Sequence, residues 1–154
     1  MAEETIVWLA QRSTERRRSL IGPKAVSLGR LRGLGAEVPP CFFVTTVAFR
    51  EHLSGDLRPW IAACFDAQPC DLSTTLDQVR KLIADSPLPD RVREGITEAY
   101  QRLNAPVLAV RSSATAEDLS GHSFAGQYET VLGVTSLEDC LDAIKTCWAS
   151  LWTQ

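Results

Sequence analysis

The spacing of apolar residues along the chain predicts short strands and longer amphipathic helices. β-favouring residues at 5–9 and 41–44 predict two strands. Apolar residues at helical intervals predict helices at 23–34 and 46–53, and several more across 55–104. A last helix is predicted to start in a capping box formed by Thr135 and Glu138. These elements indicate an α+β fold, with a small, mostly antiparallel sheet flanked by helices.

Another strand pair is predicted on either side of a loop of small and polar residues. Residues 107–110 are apolar, and the strand ends abruptly on Arg111. Residues 127–134 alternate in the manner of a strand that pairs antiparallel with the first. The loop between them is then expected to be a hairpin lid.

The chemistry of this loop suits a polyanion. Glycine permits close approach of the backbone, serine and threonine donate hydrogen bonds, and a guanidinium binds phosphate oxygens as a fork. Residues of these types include Arg111, Ser112, Ser113, Thr115, Gly121, Ser123 and Gly126, and Ala125 is a further small residue of the loop. A phosphate site is therefore predicted here. The alternative is that Arg111 caps the strand or pairs with Glu117 or Asp118, beside an ordinary surface loop.

Lys24 is a second candidate for binding phosphate. Pro23 at the start of the 23–34 helix and a glycine beyond its end place Lys24 in the first turn. A lysine there is disfavoured by the helix dipole, unless an anion lies between the ammonium and the helix amides. A solvated lysine is the alternative.

Composition narrows the class of protein. The chain has 154 residues, of which 45% are hydrophobic and 23% charged, which predicts one domain over 1–154. A formal net charge of −3 argues against nucleic acid or a membrane surface as a partner. No targeting segment is recognised, so the protein is predicted to be cytoplasmic with five reduced cysteines. Cys140 and Cys147 are interpreted as core residues, and His52 as a packing or surface residue.

Three strings together resemble one family. The three strings are VRSSATAEDL followed by SFAGQYET, the segment with Gly22, Lys24, Leu28 and Gly29, and VPPCFFVTT. They are similar to the N-terminal nucleotide-binding domain of phosphoenolpyruvate synthase, pyruvate phosphate dikinase and rifampin phosphotransferase. These are ATP-grasp phosphotransferases. Pro23 departs from the pattern, because the family has a second glycine there, and its missing N–H puts a direct backbone contact to phosphate in doubt.

The resemblance implies a fold and a site. The chain would be the first lobe of an ATP-grasp domain, a lobe that holds ATP for phosphoryl transfer to a carrier histidine on another domain. Lys24 and Arg111 would be catalytic, and the ATP-binding residues would be Lys24, Arg111, Ser112, Ser113, Ser123, Phe124, Ala125, Gly126 and Gln127. No metal ligand is assigned to this chain.

The resemblance also implies partners. It covers about the first half of the ATP-grasp domain, so the Mg²⁺ ligands and the adenine pocket are expected on a second lobe. That lobe and the carrier domain would be partners, in cis or as a separate chain, and this chain would be a fragment or a split subunit that is inactive alone. The acceptor stays open between phosphoenolpyruvate synthase-like or dikinase-like enzymes and an antibiotic phosphotransferase. A non-catalytic nucleotide-binding or assembly module, or a structural fragment without affinity, is the remaining alternative.

Overall fold

The computed structural model describes residues 4–9, 17–55, 57–66, 71–113 and 129–152. Their elements follow the order β1 Ile6–Trp8, α1 Arg18–Gly33, β2 Phe42–Val44, α2 Thr46–Leu53, α3 Leu57–Asp66, α4 Leu72–Asp85, α5 Asp90–Leu103, β3 Leu108–Arg111, β4 Thr130–Val134 and α6 Leu137–Ala149. The α+β class is confirmed. Instead of the single sheet that was expected, the described strands form two separate antiparallel pairs, β1 with β2 and β3 with β4.

The first sheet joins the start of the chain to the segment before α2. Ile6 pairs with Val44 and Trp8 with Phe42. The Thr45 hydroxyl donates to the Glu4 carbonyl at 2.7 Å and also accepts the Val47 amide, so this side chain caps α2. One threonine therefore fixes the edge of the first sheet to the beginning of α2.

The helices of the middle section lie where apolar periodicity predicted them. Asp71 caps α4 through the Thr74 amide, and Asn104 ends α5 in the left-handed conformation. Val79 and Ile83 on α4, and Val92 and Ile96 on α5, are fully buried in one hydrophobic cluster. Trp60 on α3 lies outside this core, because its side chain is 63% exposed.

The second sheet has one covered face and one open face. Leu108 and Val110 are half-buried, while Ala109 and Arg111 are exposed, so the strand predicted to be buried is covered on one side only. Its antiparallel pairing with β4 is confirmed, with Val110 opposite Val131. α6 packs on the covered face. The open face is therefore the one that carries Arg111.

The predicted start of α6 is wrong by one residue. Ser136, and not Thr135, is the N-cap, because the Ser136 hydroxyl accepts the Asp139 amide at 3.1 Å. The Thr135 carbonyl instead accepts the Tyr100 hydroxyl, and Glu138 pairs with Arg93. Of the two side chains in the expected capping box, the one of Glu138 therefore makes a long-range contact to α5 instead.

Among the described residues, two groups of buried side chains form the hydrophobic core. The larger surrounds α6 and consists of Ala48, Val79, Ile83, Val92, Ile96, Val134, Cys140, Leu141, Ala143, Ile144, Trp148 and Ala149. The smaller lies between α1 and β1 and consists of Val7, Ile21, Ala25 and Val26. α6 is covered by α4, α5 and the second sheet of its own chain.

The residues with possible metal-binding or catalytic chemistry in this core are packing residues. Cys140 and Cys147 are buried, and burial raises the pKa of each thiol to about 11, which confirms the core interpretation. His52 is 2% exposed, its Nε2 lies 3.0 Å from the Ile83 carbonyl, and its ring lies against Trp148. None of the helices in the described ranges is both long and apolar enough to cross a membrane.

Candidate functional site

Arg111 lies at the end of β3, with its side chain exposed on the open face of the sheet. The backbone beside it is attached to α6. The Cys147 thiol faces the carbonyls of Glu129 at 3.5 Å and Val110 at 3.8 Å, and the Ser150 hydroxyl accepts the Glu129 amide at 3.3 Å. The raised pKa of Cys147, caused first by burial and then by Glu129, keeps the thiol protonated and able to donate. The strand end that carries Arg111 is thus fixed to the large core.

Lys24 lies on α1, immediately after a break in the helix. Gly22 has φ 75° and ψ 172°, so the turn that begins at Arg18 is separated from the regular helix that follows. The predicted start at Pro23 matches this second segment, whereas the turn before Gly22 was not predicted. Lys24 is exposed in the first turn of this second segment, a position where the helix dipole disfavours a positive charge.

Gly22 and Ser113 bring these two segments into direct contact. A Cβ built on Gly22 would lie 1.9 Å from the Ser113 carbonyl oxygen and 2.6 Å from its hydroxyl oxygen. The same hydroxyl accepts a hydrogen bond from the Ala25 amide at 3.4 Å, which is long for this type of bond. Lys24 follows Gly22 by two residues, and Arg111 precedes Ser113 by two. The start of the α1 segment therefore abuts the residues that follow β3.

These contacts bring together four of the predicted site residues. Lys24, Arg111, Ser112 and Ser113 belong to two touching segments, in which Ser112 and Ser113 are half-buried while Lys24 and Arg111 are exposed. The other predicted residues, Ser123, Phe124, Ala125, Gly126 and Gln127, lie outside the described residues. So do Glu117 and Asp118, the suggested partners of Arg111.

Sequence reasoning missed the residues that support this arrangement. Gly22 was noted for its likeness to a motif and not for a positive φ or a close contact. Cys147 and Ser150 were not considered as supports for the strand ends, although they lie three apart on an apolar helix and so face the same side. That spacing, next to a predicted strand pair, is the signal that could have found them.

The arrangement suits an anion better than a metal ion. Two exposed cations and two serine hydroxyls can bind several phosphate oxygens. Within the described ranges, no cluster of three histidine, cysteine or acidic side chains could hold a metal. A groove of about 480 Å³ between α3 and α4 contains Cys64, Gln78 and Lys81 but neither Lys24 nor Arg111, so it is a separate feature.

Comparison with known proteins gives an independent result. Residues 18–154 match the family model described as "Pyruvate phosphate dikinase, AMP/ATP-binding domain". The matched region includes both segments of the candidate site and leaves out β1.

Individual relatives agree with this match. The chain is 36% identical to a phosphoenolpyruvate synthase of Aeropyrum pernix over 99% of its own length and 20% of the relative's. It is 36% identical to a probable phosphoenolpyruvate synthase of Methanocaldococcus jannaschii, over 96% of this chain and 13% of that one. It is also 38% identical to a rifampicin phosphotransferase of Streptomyces sp, over 87% of this chain and 16% of the relative. The chain thus spans about a fifth or less of the length of these relatives.

Proposed function

This chain belongs to the family of the pyruvate phosphate dikinase AMP/ATP-binding domain, and we propose that it is the ATP-binding first lobe of an ATP-grasp phosphotransferase. The lobe holds the ATP phosphates for transfer to a carrier histidine on another part of the enzyme. Lys24 and Arg111 neutralise the charge of the phosphates and of the transition state. Ser112 and Ser113 donate hydrogen bonds, and the segment from Ser123 to Gln127 closes over the phosphates.

The contact between Gly22 and Ser113 carries this proposal. Exposed cations are common on protein surfaces, and a solvated Lys24 was the alternative interpretation. Two cations that are 87 residues apart in the sequence, on segments whose backbones touch, are far less expected of solvated side chains. The close approach also leaves little room for side chains, so backbone amides and hydroxyls can face a ligand.

The cofactors are ATP and Mg²⁺. Mg²⁺ would supply positive charge that neutralises the phosphates. Its ligands would lie on the second lobe, as the resemblance to ATP-grasp enzymes implies. The partners are that lobe and the carrier domain, with 1–154 as one incomplete domain. A cytoplasmic location is also proposed, and the free thiols of Cys41, Cys64, Cys140 and Cys147 suit a reducing compartment.

A phosphoenolpyruvate synthase-like or dikinase-like reaction is the first choice for the acceptor. Two of the three relatives described above carry the name phosphoenolpyruvate synthase, and one is a rifampicin phosphotransferase. The antibiotic phosphotransferase is therefore the second candidate. This second candidate is supported by the rifampicin phosphotransferase of Streptomyces sp, whose identity to this chain is as high as that of the two synthases.

A titration with ATP, in the presence and absence of Mg²⁺, tests the shared part of both candidates. The 154-residue chain and the natural full-length protein are titrated by calorimetry, together with Lys24→Ala and the matched control Lys81→Ala, which removes an exposed lysine from α4. We expect ATP binding by the full-length protein that Lys24→Ala weakens and Lys81→Ala leaves unchanged. Equal affinities of the two variants would contradict the assignment of Lys24. Failure of the unaltered full-length protein to bind ATP would leave an assembly module as the function.

A further inference from the structure

Ser113 contacts the helix that carries Lys24 and lies two residues beyond Arg111. Resting on the proposed function, we infer that Ser113 is a positioning residue: its hydroxyl holds the start of the Lys24 helix in place and so sets the separation between Lys24 and Arg111. This role is distinct from a hydrogen bond of Ser113 to phosphate. It makes the affinity for ATP depend on a contact within the protein.

The Lys24 helix lacks a cap from its own flanking residues. Gly22 occupies the cap position and has no side chain, while Pro23 has no N–H. Arg17, at the beginning of the preceding turn, also makes no capping hydrogen bond. The Ala25 amide is the third after the cap position, the one that a serine or threonine cap usually satisfies. Ser113 takes this role from 88 residues away.

The contact is tight on the backbone side as well. The conformation of Gly22, with φ 75° and ψ 172°, belongs to a region that is essentially restricted to glycine. Any side chain there would overlap the carbonyl oxygen of Ser113. The helix start is thus held by contact with the Ser113 backbone and by the hydrogen bond to its hydroxyl, and removal of the hydroxyl leaves only the first.

Both charged residues are close in sequence to this contact. Lys24 immediately precedes Ala25, and Arg111 is two residues before Ser113. A first turn without its capping bond frays, because its amides have no other intrahelical acceptor. Fraying would leave the Lys24 ammonium in many positions relative to the Arg111 guanidinium. Because ATP binding would then have to order the Lys24 turn again, part of the binding free energy would be lost and the affinity for ATP would fall.

The first test needs no ligand. Amide hydrogen exchange is measured on the natural full-length protein and on two variants, Ser113→Ala and the matched control Ser136→Ala. Ser136 caps α6 beyond β4, at the end of the second sheet opposite to Arg111. We expect Ser113→Ala to speed exchange in the first turn after Gly22, and Ser136→Ala to speed exchange at the start of α6 only. Unchanged exchange around Lys24 in Ser113→Ala would overturn the inference.

The second test is a double-mutant cycle in ATP affinity between Ser113→Ala and Lys24→Ala. Residues that act on each other show coupling, so Ser113→Ala should raise the Kd for ATP roughly 3- to 10-fold more when Lys24 is present than in the Lys24→Ala background, where only the hydrogen bond of Ser113 to phosphate is lost. Equal losses in both backgrounds would mean that Ser113 contributes independently of Lys24, and would overturn the positioning role while the proposed function stands. If Lys24→Ala itself binds ATP as the unaltered protein does, the assignment of Lys24 fails first, and the inference fails with it.

Discussion

Arg111 and Lys24 are attached to cores of very different size. In the part of the chain that the structure describes, Arg111 ends a strand that packs on α6, beside a cluster of twelve buried residues. Lys24 lies on a helix whose cluster with β1 has four buried residues in the same ranges. Since local stability follows the number of buried apolar contacts, the Lys24 segment should open more readily than the Arg111 segment. The candidate site thus joins a rigid part of the chain to a softer one, through Gly22 and Ser113.

The difference suits a site that must bind and release a large anion. A rigid guanidinium gives the phosphates a fixed reference point, and a softer helix can adjust around them. Loops and segments that move during turnover generally belong to the less stable parts of a protein. We therefore expect substitutions in the large core to act on folding, and substitutions near Lys24 to act on binding.

Trp148→Ala should have the largest effect on stability. Trp148 is nearly buried on α6 and stacks against Phe49 and His52, with ring centroids 5.4 and 5.2 Å away. Truncation of such a side chain typically costs about 3 to 5 kcal/mol in the free energy of unfolding. Chemical denaturation followed by circular dichroism measures it. Val26→Ala in the small cluster is the comparison variant, and an equal loss there would contradict the difference between the two cores.

Arg111→Lys should have the largest effect on turnover. Lysine keeps the charge but loses the fork of N–H donors, so it cannot hold two phosphate oxygens in register. Loss of one such transition-state contact lowers the rate by roughly 10² to 10³, or about 3 to 4 kcal/mol. The ATP-dependent phosphoryl-transfer rate of the natural full-length protein is the measurement, with thermal unfolding beside it.

Arg93→Lys is the matched control for this change. Arg93 is half-exposed and pairs with Glu138 at 2.7 Å, a surface ion pair that lysine can replace at little cost. We expect it to leave both turnover and melting temperature unchanged. An Arg111→Lys variant that melts normally and also turns over normally would remove Arg111 from the site.

Gly22→Ala should act on the softer part of the chain. The conformation of Gly22 costs an alanine about 1 to 3 kcal/mol, and the added Cβ would also overlap the Ser113 carbonyl. We expect weaker ATP binding and faster hydrogen exchange across the Lys24 turn, with exchange in α6 unchanged. Gly33→Ala is the matched control, because a Cβ there meets no atom within 4 Å. Faster exchange in α6 as well would show that the two cores unfold together.

Local patterns predicted most of the fold, and contacts between distant residues explain the rest. The helix at 46–53 and its Thr45 cap were predictable because cap and amide are neighbours in the sequence. The α6 cap was misplaced because Thr135 and Ser136 are adjacent hydroxyl residues, and the pairing of Glu138 with Arg93 on α5 depends on tertiary structure. For the candidate site, Lys24 and Arg111 were chosen from their types and positions, whereas no periodicity could show that Gly22 touches a residue 91 positions away.

His52 is another residue whose environment only the tertiary structure reveals, and it gives the large core a dependence on pH. Burial first, and the charge of Lys145 in addition, lower the pKa of His52, although the Ile83 carbonyl partly opposes this. Its Nδ1 is buried without a hydrogen-bond partner, and a protonated ring would have to place a second N–H there. The neutral imidazole is therefore the form that fits the folded protein.

The sign of the pH dependence follows from this lowered pKa. Above the unfolded-state pKa of about 6.5 the ring is neutral in both states, so the stabilisation is complete. As the pH falls below that value, the unfolded chain binds the proton first. The free energy of unfolding then decreases until the pH reaches the lower folded-state pKa. We expect the melting temperature to decline between about pH 7.5 and 5.5, and His52→Gln, which keeps an N–H donor for Ile83 without titrating, to decline less. Parallel profiles for the two proteins would show that His52 does not set the pH dependence of the large core.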